Sequence, residues 1–420
     1  MANKYLALKH GNKYLLELRK NGAKKTYYIL KQRQEQEELN KPYYCEVEYL
    51  ENTAKNWINT NFIPANDNVK WETCISFTSI SKGQLMGSGY AGTTRFNFGI
   101  DSTGKFRFGF GRSWYNADLS VYTPDTNKHV WVLDGNTKTG SIDGVSVTFN
   151  ETYTPNGIEP IVLFARSTTP TTVQDSNWSK AKIYYSKIWS DGVLVRDLIP
   201  VLDWDMKPCM YDKVSGQLIY NAGTGEFLYG REIHEVEYLE SSGTQYIDTG
   251  ITQNSNIKAE LSIYPTAINK FIFGSRVNAA SDGFGIFMHS NNNGSWYSFF
   301  LSANAMIPGF EVNKKYDIEF SKDGFIVNNN LLEGPYTVEF TGTLNMYLFT
   351  INSAGAVDNR SYIGKIYSTK LYENNVLVRD YIPAVDENGV GFMFDRVTHT
   401  IFDNAGTGSF IAGEVIEKRI

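Results

Sequence analysis

The feature that most constrains this chain is an internal repeat. The stretch "VLVRDLIPV" at Val193–Val201 returns as "VLVRDYIPA" at Val376–Ala384. An identical "NAGTG" follows each of them, at Asn221–Gly225 and Asn404–Gly408. Other segments recur in the same order at an offset of about 185 residues, far longer than the unit of a solenoid repeat. The repeat therefore predicts tandem copies of a whole domain.

Within each copy the residue pattern is that of short β-strands. Runs such as "VEYLE", "YDIEF" and "KIYSTKLY" alternate with period two, and "SSGT", "SKDG" and "NNNGS" supply turns between such runs. Aromatic residues make up 14% of the chain and charged residues only 20%, which suits antiparallel sheets. We expect an all-β protein with two tandem sandwiches or jelly rolls.

The domain organisation follows from where the repeat begins and ends. The segment Lys4–Leu30 reads as three short strands with turns at His10–Asn12 and Asn21–Gly22. Such a small meander buries too little apolar surface to be stable alone, so we expect it to dock onto something larger. The expected parts are an N-terminal β docking segment over 1–30, a charged linker over 31–44, a first sandwich over 45–232 and a second sandwich over 233–420.

Composition argues against several classes of partner. The formal net charge of −5 gives no electrostatic footprint for nucleic acid or anionic membranes. No window is apolar enough to span a bilayer, and the opening "MANKYLALKHGNKYLLELRK" lacks the apolar core of a secretion signal. We expect a protein that is made in the cytoplasm and stays soluble there, unless it leaves by lysis or as part of a particle.

The sequence shows no pattern of catalytic or metal-ligating residues. Cys45, Cys74 and Cys209 lack the spacing of a zinc site or a disulfide framework and are predicted to be inert thiols. The histidines show no metal-ligand spacing, and no strand carries the paired carboxylates of a sandwich glucanase. No cofactor and no catalytic residue is predicted, with calcium left open at the loops Ala65–Asn68, Ala279–Gly283 and Val357–Asn359.

Two aromatic segments are the candidates for carbohydrate binding, since sugar recognition favours an aromatic surface beside polar side chains. They are "GRSWYNAD" at Gly111–Asp118 and "NNNGSWYS" at Asn291–Ser298. Adjacent strand residues face opposite sides, so one member of each Trp–Tyr pair should be core, and the alternative that both Trp side chains are buried stays open. The candidate glycan-binding residues are Trp114, Tyr115, Asn116, Asn293, Trp296 and Tyr297.

Three segments carry a family resemblance. "EVEYLESSGTQYIDTGI" at Glu235–Ile251, the turn Ile142–Gly144 and the end "VRDYIPA…FDRVTHTIFDNAGTG" resemble the laminin-G-like, concanavalin A-like sandwich family. The resemblance covers nearly all of Cys45–Ile420, twice. Domains of this kind occur in proteins of gut bacteria and their phages, and "LKHGNKYLLEL" resembles the leader of some phage fibre and head-decoration proteins.

The resemblance implies a non-enzymatic virion protein, such as a head fibre, tail fibre or capsid decoration protein. Its N-terminal segment would dock onto other virion proteins, and its sandwiches would bind host-surface or mucus glycans, with homo-oligomers as the expected state. Fold alone does not fix function. The alternatives are a purely architectural decoration protein without a ligand, and a bacterial surface protein that binds or hydrolyses glycans.

Overall fold

A computed structural model describes the chain over ten ranges: 5–10, 13–18, 41–53, 55–89, 92–117, 123–174, 178–277, 283–289, 294–301 and 303–416. Over these ranges the structure is β, apart from one turn of 3-10 helix at Gly92–Thr94. None of the described residues forms a helix of the length and hydropathy needed to cross a membrane. The all-β prediction is confirmed.

Two compact units are present, one of Met1–Pro42 with Glu417–Ile420 and one of Tyr43–Ile416. In the first unit, β1 (Tyr5–His10) and β2 (Lys13–Leu18) form an antiparallel hairpin with Tyr5 opposite Leu18. The third strand predicted for this segment, and most of the predicted linker, lie outside the described residues.

The first sandwich is built from two antiparallel sheets. The larger has the order β13-β12-β11-β6-β15-β16-β17-β18, and the smaller has the order β10-β9-β8-β7. The strands are β3 Cys45–Val47, β4 Leu50–Glu51, β5 Ile58–Asn59, β6 Val69–Phe77, β7 Gln84–Ser88, β8 Arg95–Ile100, β9 Phe106–Gly111, β10 Ser113–Asn116, β11 His129–Asp134, β12 Thr139–Ile142, β13 Val145–Thr148, β14 Val162–Leu163, β15 Ala181–Ser190, β16 Val193–Leu202, β17 Pro208–Asp212, β18 Gln217–Ile219 and β19 Leu228–Tyr229.

Large aromatic side chains join the two sheets of the first sandwich. Phe98 of the smaller sheet lies 4.5 Å from Trp71 and 4.9 Å from Trp131 of the larger, measured between ring centroids. All three are fully buried. Packing of alternate residues from two facing sheets is the defining contact of a sandwich.

The second sandwich repeats this order. Its larger sheet runs β30-β29-β28-β23-β34-β35-β36-β37, and its other sheet runs β22-β31-β24-β25-β26-β27. The strands are β21 Leu239–Ser242, β22 Ile247–Asn254, β23 Ile257–Pro265, β24 Lys270–Arg276, β25 Gly283–His289, β26 Ser295–Leu301, β27 Ala303–Pro308, β28 Tyr316–Ser321, β29 Gly324–Val327, β30 Asn330–Glu333, β31 Thr341–Leu348, β32 Asn352–Ser353, β33 Ala356–Val357, β34 Ile363–Glu373, β35 Val376–Val385, β36 Gly391–Asp395, β37 Thr400–Phe402 and β38 Ile411–Ala412.

The two sandwiches have separate cores. One cluster of buried side chains runs from Cys45 to Phe227 and the other from Val236 to Phe410. In the second, Phe284 and Phe320 pack across the two sheets at 4.5 Å between ring centroids. The prediction of two tandem sandwiches is confirmed, while the residue numbers proposed for their boundary stay a prediction.

A single strand, β20 (Glu232–Glu235), connects the sandwiches. Its first half pairs with β3, Glu232 opposite Val47 and Ile233 opposite Glu46. Its second half pairs with β35, His234 opposite Val385 and Glu235 opposite Ala384. The connection is therefore a strand shared by a sheet of each sandwich.

The repeated "VRD" holds an arginine at the edge of each core. The Nε of Arg196 donates to the carbonyl of Thr60 at 2.7 Å and lies 3.7 Å from the buried carboxylate of Asp212. Arg379 repeats both contacts with Thr249 and Asp395, at 3.3 and 3.7 Å. The repeated segment therefore has the same structural role in both sandwiches, in which its arginine links a backbone carbonyl to a buried aspartate.

The repeated "NAGTG" forms the same turn in both copies. Asn221 Oδ1 accepts hydrogen bonds from the backbone N–H groups of Trp57 and Gly223. The second glycine, Gly225, has positive φ, whereas the first, Gly223, does not. A Cβ on Gly223 would lie 1.9 Å from the carbonyl oxygen of Lys55, so this glycine is required for space.

Pro200 lies inside a strand although it lacks the N–H group that a central ladder uses. Pro200 pairs with Met210 inside β16, which continues to Leu202. The ladder to β15 stops at Leu198 and the ladder to β3 begins at Val201, so the residue without an N–H falls between the two ladders.

Candidate functional site

The first predicted aromatic segment lies on β10, the last strand of its sheet. The ring of Tyr115 packs against Phe149 at 4.7 Å, and its hydroxyl donates to Asn150 Oδ1 at 2.5 Å. Trp114 and Asn116 face the opposite side of the sheet, and Asn116 is exposed. The alternation predicted from the sequence places Tyr115 against the core and leaves Trp114 and Asn116 outside.

Trp114 is not a bare stacking platform. The guanidinium groups of Arg95 and Arg107 lie 5.2 and 4.8 Å from its ring centroid. Trp114 is paired with Gly109. Arg107 is two residues from that glycine on the same strand, and Arg95 is paired with Gly111. Two guanidinium groups therefore already lie at cation–π distance from the indole on which a sugar would stack.

The second predicted segment does not place its tryptophan at the surface. Trp296 is 2% exposed and packs edge-on against Phe310 and Tyr316, each 4.9 Å away. As a glycan-binding residue Trp296 is a wrong prediction, because the inner face of β26 is core. Tyr297 is half-buried on the outer face, and Asn293 lies outside the described residues.

The two "SWY" segments are also not structural equivalents. Ser113–Tyr115 belongs to β10, the fourth strand of the order β7-β8-β9-β10. Ser295–Tyr297 belongs to β26, the third strand of the matching order β24-β25-β26-β27. The shared letters therefore do not mark a shared site.

The outer face beside Tyr297 is apolar and covered. Phe271, Phe287 and Phe299 are nearly fully buried there, and Arg360 lies 4.8 and 5.1 Å above the first two rings. Asp358 and Arg360 form an ion pair with 3.0 Å between Oδ1 and Nε. Burial alone would raise the pKa of Asp358, but the hydrogen bonds from Arg360 outweigh this effect and lower it. Its carboxylate also pairs with a second arginine, so Val357–Asn359 is already committed to cations, and the calcium alternative at that loop is disfavoured.

A different arrangement meets the requirement for an aromatic side chain beside polar groups. A surface pocket of about 540 Å³ lies at one end of the larger sheet of the first sandwich. Its aromatic wall is Trp189, which is half-buried, with Lys70 Nζ 4.7 Å above the ring. The polar lining comes from Asn68, Asp134, Asn136 and Asp191.

Three turns build this pocket, and backbone hydrogen bonds hold them together. The N–H of Asp191 donates to the carbonyl of Asn68 at 2.8 Å, and the N–H of Gly135 donates to Val69 at 2.8 Å. Asp134 Oδ1 accepts from the N–H of Asn136 at 2.9 Å, which fixes its carboxylate in the turn. The site is therefore pre-formed by main-chain contacts, as small-molecule sites usually are.

The second sandwich repeats part of this arrangement. Lys258 Nζ lies 4.4 Å above the ring of Tyr372, in the place of Lys70 and Trp189. Lys258 also pairs with Glu260 at 2.6 Å, and the Tyr372 hydroxyl donates to the same carboxylate. Burial, followed by the charge of Glu260, raises the pKa of Tyr372. The sequence signal for this pair was the aromatic residue that ends each repeated segment, Trp189 in "KIYYSKIW" and Tyr372 in "KIYSTKLY".

Carboxylates do meet in a groove of about 350 Å³ on the second sandwich. Glu260 and Glu319 are directly opposite on β23 and β28, and Asp317 is opposite Ser262. Glu260 is bound by Lys258 and Tyr372, and Asp317 accepts a hydrogen bond from Ser262 Oγ at 2.7 Å. Glu260 and Asp317 therefore both already have side-chain partners on the outer sheet face.

No protein-family description and no curated protein sequence matches the chain. The mouse laminin alpha1 chain, domains LG4-5, is similar at 12% sequence identity and a TM-score of 0.28, covering 81% of this chain and 96% of that chain. At that TM-score the fold assignment rests on the strand order and the two cores described above.

Proposed function

We propose that this chain is a non-enzymatic glycan-binding display protein whose main binding site is the Trp189 pocket. The observation that supports this most is the convergence of an indole, two carboxylates and two amides in one pre-formed pocket. Sugar rings offer apolar C–H faces for an aromatic ring and hydroxyl groups for carboxylate and amide oxygens.

The lining indicates the class of glycan. Asp134 and Asp191 accept hydrogen bonds from hydroxyl groups but repel the carboxylates and sulfates of acidic sugars. Lys70 is the one cation in the lining, and it is placed over Trp189. The expected ligands are neutral hexoses or N-acetylhexosamines rather than sialylated or sulfated glycans.

The test compares Trp189→Ala with Trp204→Ala in the full chain. Trp204 is 49% exposed on the same sandwich and outside the pocket, so it controls for the loss of a surface indole. A glycan array identifies the ligand, and titration calorimetry then measures each variant. We expect Trp189→Ala to weaken binding at least about tenfold, as for loss of a stacked aromatic side chain, with Trp204→Ala unchanged. An array without a binder, or equal losses in both variants, refutes the site.

The calcium alternative concerns the same pocket. The loop Ala65–Asn68 ends at Asn68, which lines it. Binding measured with and without a chelator separates the two possibilities, since a calcium-assisted site loses affinity on chelation and a direct site does not.

We further propose that the protein is part of a phage virion and carries many copies of this site outward. Support comes from the family resemblance of the sequence and from the N-terminal segment that resembles fibre and decoration leaders. Weak sites gain avidity when many copies act together. Mass spectrometry of purified particles tests the location, and deletion of 1–30 should prevent incorporation.

Other outcomes would select the alternatives. A particle protein that binds no glycan would be an architectural decoration protein. A protein found on bacterial cells instead of particles would be a surface protein, and release of reducing sugar would make it a hydrolase.

A further inference from the structure

The junction between the sandwiches collects three metal-ligating side chains. Cys45 lies on β3, and Glu232 and His234 lie on β20, the strand paired with it. The Cys45 Sγ, a Glu232 carboxylate oxygen and a His234 ring nitrogen all lie within 4.8 Å of one another. Residues two apart on a strand share a face, which places Glu232 and His234 on the same side.

Cys45 and His234 come together because of the internal repeat. Cys45 begins "CEVEYLE" in the first copy and His234 begins "HEVEYLE" in the second. The two residues therefore occupy the same position in their copies, where most of the neighbouring letters are identical. Because β20 runs antiparallel beside β3, the two starts of the repeat are brought side by side.

We propose that Cys45, Glu232 and His234 form a binding site for a divalent transition-metal ion, with Zn²⁺ the best match. Thiolate, imidazole and carboxylate are the three protein ligands of zinc, and a three-ligand site leaves the fourth position to water. A thiolate disfavours Mg²⁺ and Ca²⁺, which take oxygen ligands. This site does not depend on glycan binding.

The contacts in the structure fit such a site after one small change. His234 Nε2 lies 2.7 Å from Glu232 Oε2, as a hydrogen bond that the metal replaces. In a tetrahedral site with metal–ligand bonds of about 2.0–2.2 Å, the same two atoms are roughly 3.3 Å apart. The imidazole proton then resides on Nδ1, Nε2 binds the ion, and the Cys45 thiol releases one proton to solvent.

The surroundings suit a site that is enclosed but accessible. The Glu232 and His234 side chains are 13% and 12% exposed, whereas Cys45 is fully buried. The Tyr44 ring packs edge-on against His234 at 5.7 Å and fixes the orientation of the imidazole. Glu387, from the second sandwich, accepts a hydrogen bond from the backbone N–H of Glu232 at 3.3 Å. A bound ion would therefore reinforce the junction.

The test uses the full chain after treatment with a chelator and a reductant. Cd²⁺ is titrated as the probe, because thiolate coordination produces an ultraviolet charge-transfer band that oxygen and nitrogen ligands do not. Co²⁺ is titrated separately, because its visible bands report tetrahedral geometry. We expect a charge-transfer band that saturates at one ion per chain, and Zn²⁺ should displace both probes.

Variants decide whether these residues hold the ion. Cys45→Ser should abolish the band and weaken Zn²⁺ by more than the roughly 10–100-fold typical of an outer-shell change. Cys74→Ser, another buried thiol, is the matched control and should keep both. If Cys45→Ser fails to fold, His234→Gln must shift the Co²⁺ spectrum and lower Zn²⁺ affinity. A band that survives Cys45→Ser, or no band in the wild type, overturns the proposal.

Discussion

His399 of the second sandwich occupies the turn position that Gly216 occupies in the first, and both have left-handed backbone, with φ of +47° and +73°. A side chain in this conformation costs about 1 kcal/mol relative to glycine. His399 is only 3% exposed, and its ring packs against Tyr185 of the first sandwich at 5.5 Å and Phe394 at 5.8 Å. The strain is retained where the two sandwiches touch.

His399 should make the assembly acid-sensitive. Burial lowers its pKa well below the usual 6.5, and the nearby cations Lys213, Lys187, Lys128 and Arg396 lower it further. The unfolded chain therefore binds a proton below about pH 6.5 that the folded chain excludes, so this contribution to stability is complete above that pH and is lost as pH falls. Urea unfolding at pH values on both sides of the ordinary histidine pKa, from about 5 to about 8, should show the free energy of unfolding falling as the pH is lowered.

The matched variant is His399→Asn, because asparagine tolerates left-handed backbone and does not titrate here. In this variant the free energy of unfolding should fall less steeply as the pH drops below about 6.5. His129 acts in the opposite direction, since its hydrogen bond with Asp143 raises its pKa and its contribution is lost as pH rises. The wild-type minus variant difference therefore isolates His399, and an unchanged acid limb would contradict the assignment.

Lys128 should couple the sandwiches. Its Nζ donates to the carbonyl of His399 at 3.1 Å and to Thr400 Oγ1 at 2.7 Å, and it lies 4.1 Å above the Tyr184 ring. Lys128→Met keeps the apolar stem but removes these donors, so we expect a loss of about 1.5–3 kcal/mol. Calorimetry should also show the two sandwiches melting more independently. Exposed Lys180→Met is the control, and equal effects of both would contradict the role.

The buried aspartates that meet the repeated arginines should stabilise each sandwich equally. Asp212 Oδ1 accepts from the N–H of Asp197 at 2.9 Å and Oδ2 from Ser215 Oγ at 2.7 Å. Asp212→Asn places an NH₂ group against Ser215 and Arg196, which we expect to cost about 1–3 kcal/mol. Asp395→Asn should match it, and exposed Asp205→Asn should change little. Hydrogen exchange would locate each loss in its own sandwich, and a loss spread over both would count against this account.

Gly223 and Gly192 should respond differently to the same substitution. A Cβ on Gly223 meets the Lys55 carbonyl oxygen at 1.9 Å, so backbone must move, and Gly223→Ala should cost about 3 kcal/mol or more. Gly192 has φ of +78° but open space around it, so Gly192→Ala should cost only about 1 kcal/mol. Chemical denaturation measures both, and equal costs would show that the close approach is relieved cheaply.

The sequence predicted those features that depend on local pattern or on the repeat. Period-two alternation predicted the strands and that one of Trp114 and Tyr115 would face the core, and the repeat predicted two tandem sandwiches. The shared "SWY" misled because identical letters lie on different strands of the two copies. A short match cannot reveal an offset in strand position. For Trp296 the structure selects the burial that the sequence left open.

The pocket and the junction depend on contacts that sequence reasoning could not anticipate. Asn68, Asp134 and Asp191 come from three separate turns, and only the strand pairing brings them beside Trp189. Cys45 and His234 are far apart in the chain and show no ligand spacing. Their identical repeat position was the one available signal, and it gains meaning only once β20 is known to pair with β3.

Strand β20 also determines how the tandem would bear mechanical load. Pulling the sandwiches apart would strain the two backbone ladders of one short strand, instead of extending a slack tether. The ladder to β3 and the ladder to β35 would be sheared in sequence, so resistance would come from main-chain hydrogen bonds.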